Sequence, residues 1–205
     1  MDSVALSRDL KSTMGSRRSI RSYAHRPVPV EVVENCITIA CSAPSGANMQ
    51  PWTFVLVGDH QKKAEIRSAA EEVEGEFYEH KISAEWRRRL VPLHVDQHKP
   101  FLTEAPWLIG VFVQKYGIDD DGETIKHFYP VESTGIAVGF LLCALHQIGL
   151  GALTYTPKPM SFLSSVLDRP PNERPYMIIA VGYPSPTFEP PDIQRKAIDT
   201  MLVRV

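Results

Sequence analysis

Residues 131–146 constrain this chain more than any other stretch. They read as a helix that is apolar nearly all round, with Gly135 and Gly139 four residues apart, and a helix without a polar face needs cover on every side. Gly-x-x-x-Gly spacing serves helix pairing in lipid. In a chain with no run of 18 uninterrupted apolar residues, the two glycines instead fit close packing against another helix or a second subunit. Such a helix must be buried, and it needs more surface than one small domain provides, so layers of this chain and a second copy are expected to cover it together.

Four short apolar runs supply strands for those layers. Residues 53–57 are β-branched and aromatic, 107–113 are apolar, and 152–156 and 177–181 follow the same pattern. Between them lie helical patterns. Val30, Val33, Ile37 and Ala40 recur at three- and four-residue intervals, with Pro29 suited to the first helical turn. Residues 3–14 form a short amphipathic lead-in that stops before Gly15, and 161–167 a further helix. Residues 60–90 are polar and helix-prone, with too few large apolar residues to anchor a central element, so a mobile helical excursion is expected there. From Pro184 the chain turns proline-rich, an extended arm that must lie on something already folded, and a partner subunit is the natural support. Alternating strands and helices predict an α/β or α+β layer architecture.

The chain has 205 residues, the usual size of one domain, so a single domain over 1–205 is expected. A net charge of -2 argues against a phosphate-backbone partner, which needs clustered excess cation, so no nucleic acid is expected. Arg87, Arg88 and Arg89, beside Glu85 and Trp86, fit a solvated helix face. Cys36, Cys41 and Cys143 lack metal-ligand or CxxC spacing, which suggests neither a metal site nor a disulfide framework but a reduced cytoplasmic compartment. No leader or spanning pattern is visible, so a soluble chain with no membrane association is expected.

Three constellations carry chemistry. In Ser16–Tyr23, SRRSIRSY, the cations of Arg17, Arg18 and Arg21 stand beside the Ser19 hydroxyl; arginine forks match phosphate oxygens in pairs, although a solvated basic turn would read the same way. In APSGANMQPW, Pro44 and Gly46 shape a loop in which Ser45 and nearby backbone N–H groups can face a ligand's polar edge; an ordinary helix-to-strand connection is the alternative. In LTYTP, Thr154 and Thr156 share one face of a strand end by its period of two, where strand propensity alone would also explain them.

Together, RRSIR and APSGANMQPWTF resemble the nitroreductase superfamily, which opens on an arginine-serine-arginine segment and carries a PSG-N-QPW-F loop before a strand. Within it, EGEFY at 74–78, KPFLTEAPWLI at 99–109, LTYTP, and VGYPSP followed by IQRKAID make the chain most similar to the iodotyrosine deiodinase family. The resemblance implies an α+β nitroreductase-like fold with a mostly antiparallel central sheet, a lid over about 70–100, and an arm over about 184–205 reaching a partner subunit. It implies FMN in the interface of a homodimer and reductive removal of halide from a halotyrosine. Arg17, Arg18, Ser19, Arg21, Ser45, Thr154, Thr156 and Arg195 would contact the cofactor, with Thr156 at flavin N5, where a hydroxyl that both donates and accepts favours single-electron steps. Glu74, Tyr78 and Lys99 would grip the amino-acid zwitterion, and the Ala47 N–H would hold the phenolate oxygen. The resemblance leaves the reductant open, with NAD(P)H, directly or through a separate reductase, as the candidate.

Two departures stand out. The segment after Pro157, here Lys158, Pro159 and Met160, is one residue shorter than in the animal enzymes and lacks their cysteine, and no counterpart of the vertebrate membrane anchor is expected. Two other functions remain compatible with the residues: a general NAD(P)H-dependent nitro or quinone reductase on the same scaffold, and a non-catalytic flavin or amino-acid binding module.

Overall fold

The computed structural model describes residues 2–205. Its helices are α1 (Ser3–Ser16), α2 (Val30–Cys41), α3 (His60–Glu76), α4 (Ala84–Leu90), α5 (Phe101–Glu104), α6 (Pro130–Gln147) and α7 (Ser161–Val166). The strands are β1 (Trp52–Val57), β2 (Trp107–Gln114), β3 (Tyr116–Ile118), β4 (Thr124–Lys126), β5 (Gly151–Tyr155) and β6 (Glu173–Gly182). Four of them form a sheet in the order β1-β2-β6-β5, every neighbouring pair antiparallel. The small β3-β4 hairpin stands apart from it. The expected α+β architecture with an antiparallel sheet is the one found.

Strand β2, and β6 from Ile178 onward, are buried on both faces, which is why these stretches are near-continuous apolar runs rather than alternating ones. The period of two still sorts the side chains. Leu108, Phe112, Ile178 and Ala180 join one core with α3, α5 and α7, while Ile109, Val111, Ile179 and Val181 join a second core with α2 and α6. Helices thus cover both faces of the sheet. A fully buried residue such as Leu141 on α6 contributes roughly 1.5–3 kcal/mol by leaving water.

Helix α6 is covered by this chain on one face. Thr134, Ala137, Leu141 and Leu145 are buried, but Ile136 is 44% and Phe140 40% exposed on the opposite face. Nor do the two glycines meet a helix: a Cβ at Gly135 would lie 3.2 Å from the Tyr176 hydroxyl, and one at Gly139 would meet nothing within 4 Å. The chain covers only one side of this helix.

The other boundaries shift by small amounts. Pro29 is the N-cap of α2 rather than part of its first turn, α1 runs through Gly15 to Ser16, and Thr156 lies just beyond β5. The 60–90 region is better anchored than its composition suggested, since Lys63, Ile66 and Ala70 follow the 3.6-residue period into the core. Only beyond them does the helical excursion begin. The arm after β6 runs extended, pairing Pro184 with Tyr23 and donating the Ser185 N–H to the Ser22 carbonyl at 3.0 Å.

Candidate active site

Helix α3 starts firmly because the Asp59 carboxylate caps it, accepting the Lys62 N–H at 2.8 Å. Its inward stripe continues past Ala70 to Glu74, after which the chain widens into a π-helical turn over Phe77–Lys81. Such turns inside α-helices recur at functional sites. Edge-on contacts of the Phe77 ring with Tyr78 and with Trp86 on α4 and a bond from the Arg87 guanidinium to the Tyr78 carbonyl at 2.7 Å tie the excursion together.

The chain after α4 returns to bring Lys99 beneath Glu74. Its ammonium stands 3.2 Å from one Glu74 oxygen, with the two side chains 6% and 13% exposed, and it also donates to the Asp96 carbonyl. The other Glu74 oxygen accepts the Tyr155 hydroxyl at 3.2 Å. Glu71, one turn earlier, accepts the Lys99 N–H and the Arg67 guanidinium, both at 2.7 Å. Burial pushes the Glu71 carboxyl up, but these two donors outweigh it and hold the group below the usual carboxylate range. Burial and the nearby Glu74 charge push the Tyr78 phenol up, so its hydroxyl stays a donor.

Glu74, Tyr78 and Lys99 line one cavity of about 220 Å³ with Thr154, Thr156 and Arg21. Beside it a second cavity of about 210 Å³ shares Arg21 and is lined by Arg17, Arg18, Ser19 and Arg195. The arginine segment is extended, bridging Ser19 to Ala152 on β5, with Ile20 buried. Alternation therefore sends Arg17, Ser19 and Arg21 the other way. Gly151 makes this approach possible, since a Cβ there would come within 2.6 Å of Ile20. Arg18 donates to the carbonyls of Gly15 and Arg17, as does Arg195 from the arm, at 2.8 and 2.7 Å.

The Ser45 loop lies elsewhere. Its Gly46 N–H donates to Ser133 at the start of α6 at 3.4 Å, and Gly46 is needed because a Cβ would fall 2.6 Å from the Phe128 carbonyl oxygen. That glycine thus serves packing within the chain, where a ligand's approach had been expected. Ser45 accepts the Gln50 N–H at 2.9 Å. Ala47, Asn48 and Gln50 all have positive φ, near 50°, a strained run of the kind that collects at functional sites.

Sheet topology sets the distance between the two parts. The loop leads into edge strand β1 at Trp52, level with Val113, while Ser19 lies outside the other edge strand, β5, level with Trp107. Strand rise and spacing put them roughly 20 Å apart along the strands and roughly 19 Å across. They occupy opposite corners of the sheet.

The structure thus brings Arg17, Arg18, Ser19, Arg21 and Arg195 into one groove and Glu74, Tyr78, Lys99, Thr154 and Thr156 into the adjoining cavity, and it leaves Ser45 and Ala47 apart. Tyr155 and Glu71 were missed. Period-two reading pointed Tyr155 away from the flanking threonines, whereas the cavity wraps the strand end. Glu71 could have been found, because 71, 74 and 78 follow helical spacing.

Known proteins match this chain closely. Residues 14–183 match the Nitroreductase family. Iodotyrosine deiodinase from Haliscomenobacter hydrossis is 52% identical over 183 residues, 89% of this chain and 82% of the relative. The iodotyrosine deiodinase of Hydra vulgaris is 40% identical over 202 residues, 98% and 74% of the respective chains. Among solved structures, oxidized iodotyrosine deiodinase bound to FMN and 3-iodo-L-tyrosine superposes with a TM-score of 0.82 at 32% identity, covering 95% of this chain and 97% of that one. A BluB-like flavoprotein from Clostridium difficile, at 18% identity and a TM-score of 0.72 over 96% and 98%, shares the fold. Among the described residues no helix is long and apolar enough to cross a membrane. The chain belongs to the nitroreductase family and, within it, to the iodotyrosine deiodinases.

Proposed function

We propose that this protein is an FMN-dependent reductive dehalogenase of halogenated tyrosines that works as a homodimer. The observation that carries the reading is the adjacency of the arginine groove to a cavity holding Thr154, Thr156, Glu74, Tyr78 and Lys99. The donor set of the groove fits a phosphate: four arginines and Ser19 line it with no carboxylate among them. Arg17, Arg18, Ser19 and Arg21 would hold the FMN phosphate and sugar chain, Arg195 would close over them, and Thr154, Thr156 and Ser45 would meet the ring system.

When bound, FMN supplies the two electrons that, with one proton, replace a carbon–halogen bond by carbon–hydrogen and release halide. The chain's own residues position the substrate for this. The Glu74 carboxylate accepts from the ammonium, and the Lys99 ammonium and Tyr78 hydroxyl donate to the substrate carboxylate. Because Glu74 and Lys99 already neutralise each other, a zwitterion exchanges partners with them and leaves no charge uncompensated. The Ala47 N–H would donate to the phenolate oxygen, and the Thr156 hydroxyl, able to donate or accept, would meet the flavin at N5.

The opposite corners support the dimer. One chain holds the groove at one corner and the Ser45–Ala47 loop at the other, so a second copy is needed to bring a loop to each cavity. The exposed Ile136 and Phe140 of α6 offer the apolar surface for it. Anaerobic incubation of dithionite-reduced protein with 3-iodotyrosine tests the activity. Tyrosine and iodide in equal amounts are expected; intact iodotyrosine refutes the dehalogenase, and rapid NAD(P)H-driven reduction of nitroarenes in its place favours the general reductase.

A further inference from the structure

Tyr155 lies between the two threonines of the strand end, yet its hydroxyl points to the lid. The ring packs edge-on against Phe101, with centroids 5.4 Å apart, and from there the hydroxyl donates to Glu74 at 3.2 Å. Glu74 therefore has one oxygen on Lys99 and the other on Tyr155. Lys99 stands on the returning chain and is itself held by Glu71. Tyr155 differs in being rooted in the sheet, one residue from Thr154 and from Thr156. Its hydroxyl is thus a direct hydrogen bond between the strand that would face the cofactor ring and the lid residue that would meet the ammonium.

We infer that Tyr155 is a positioning residue for recognition of the amino-acid end of the substrate, acting through Glu74. A carboxylate has about four lone-pair sites, so bonds to Tyr155 and Lys99 fix its plane and still leave positions for an ammonium. Without the hydroxyl the carboxylate can swing towards Lys99 alone, and the lid loses its tie to β5. Burial and the charge of Glu74 keep the phenol protonated well above the ordinary tyrosine range. Tyr155 therefore serves as a donor rather than as an acid.

The inference rests on the halotyrosine reading, and the test separates the two. Tyr155→Phe keeps the ring and its contact with Phe101 and removes only the hydroxyl. FMN-loaded parent, Tyr155→Phe, Glu74→Gln and the double variant would be titrated with 3-iodotyrosine and with 2-iodophenol by flavin fluorescence. Expected are unchanged FMN content, iodotyrosine affinity about tenfold weaker in Tyr155→Phe, iodophenol affinity unchanged, and no further loss when Tyr155→Phe is added to Glu74→Gln. Iodotyrosine should also protect the Arg87–Arg89 segment of the parent lid from trypsin, and protect Tyr155→Phe less. Equal weakening of both ligands, additive losses in the double variant, or full lid protection in Tyr155→Phe would overturn the inference. A parent that binds the two ligands equally would instead overturn the halotyrosine reading, and the inference with it.

Discussion

Replacing Lys99 with Met is the sharpest perturbation of the cavity. It removes the ammonium 3.2 Å from Glu74 and keeps an unbranched side chain beside it, at a position where the two partners are 6% and 13% exposed. Breaking a buried ion pair by removing one member costs roughly 3–5 kcal/mol, because the remaining charge is stranded in a poorly solvated place. Two features bring the figure towards the lower end here. Glu74 keeps the Tyr155 hydroxyl, and opening of the proposed lid would hydrate the carboxylate. When a halotyrosine binds, its ammonium relieves Glu74, but its own carboxylate now lacks the cation. A net loss of about 2.7 kcal/mol corresponds to about a hundredfold in affinity. An iodophenol has neither charge and should bind the variant within about threefold of the parent, while binding the parent far more weakly than iodotyrosine does. Flavin-fluorescence titration of parent and Lys99→Met with both ligands gives all four constants. Equal weakening of the two ligands, or unchanged iodotyrosine affinity, would refute the exchange of ion-pair partners.

Four further outcomes are expected. Arg17→Ala combined with Arg21→Ala should strip FMN from the purified protein, which the flavin-to-protein absorbance ratio reads directly; full occupancy would remove the groove as a phosphate cradle. Phe140→Asp should split a homodimer whose interface includes the open face of α6, and sedimentation showing an FMN-loaded parent monomer at micromolar concentration would contradict the dimer. Thr156→Ala should lower dehalogenation turnover more than it weakens iodotyrosine binding, and an equal fall in affinity and turnover would place the threonine in binding alone. Glu71 has a depressed folded pKa, so its contribution is present above the unfolded value of about 4.3 and is lost as pH falls through the lower folded value. The melting-temperature gap between the parent and Glu71→Gln should therefore close between neutral pH and about pH 3, and a gap independent of pH would argue against the Lys99–Glu71–Arg67 contacts.

Much of this protein is legible along the chain because its determinants repeat within a few residues. Strand runs, the 3.6-residue stripe of α2 and the prolines that end regular structure all act locally, so sequence periodicity located every strand of the main sheet. The arginine segment and the threonine pair were also visible, since their chemistry lies in neighbouring side chains. Polar hairpin β3-β4 escaped notice because its three-residue strands carry too little alternation to register. Other features depend on strand order, which no local pattern encodes. Placing β1 and β5 on opposite edges separates the Ser45 loop from the groove, and packing only one side of α6 leaves Ile136 and Phe140 uncovered. Return of the chain at Lys99 turns two residues read as separate grips on a ligand into each other's counterions. Residue type determined that Glu74 and Tyr155 carry a carboxylate and a hydroxyl; only the tertiary structure, by folding α3 across the end of β5, decided that they would meet, because a hydrogen bond between residues 81 positions apart exists only once both elements are docked.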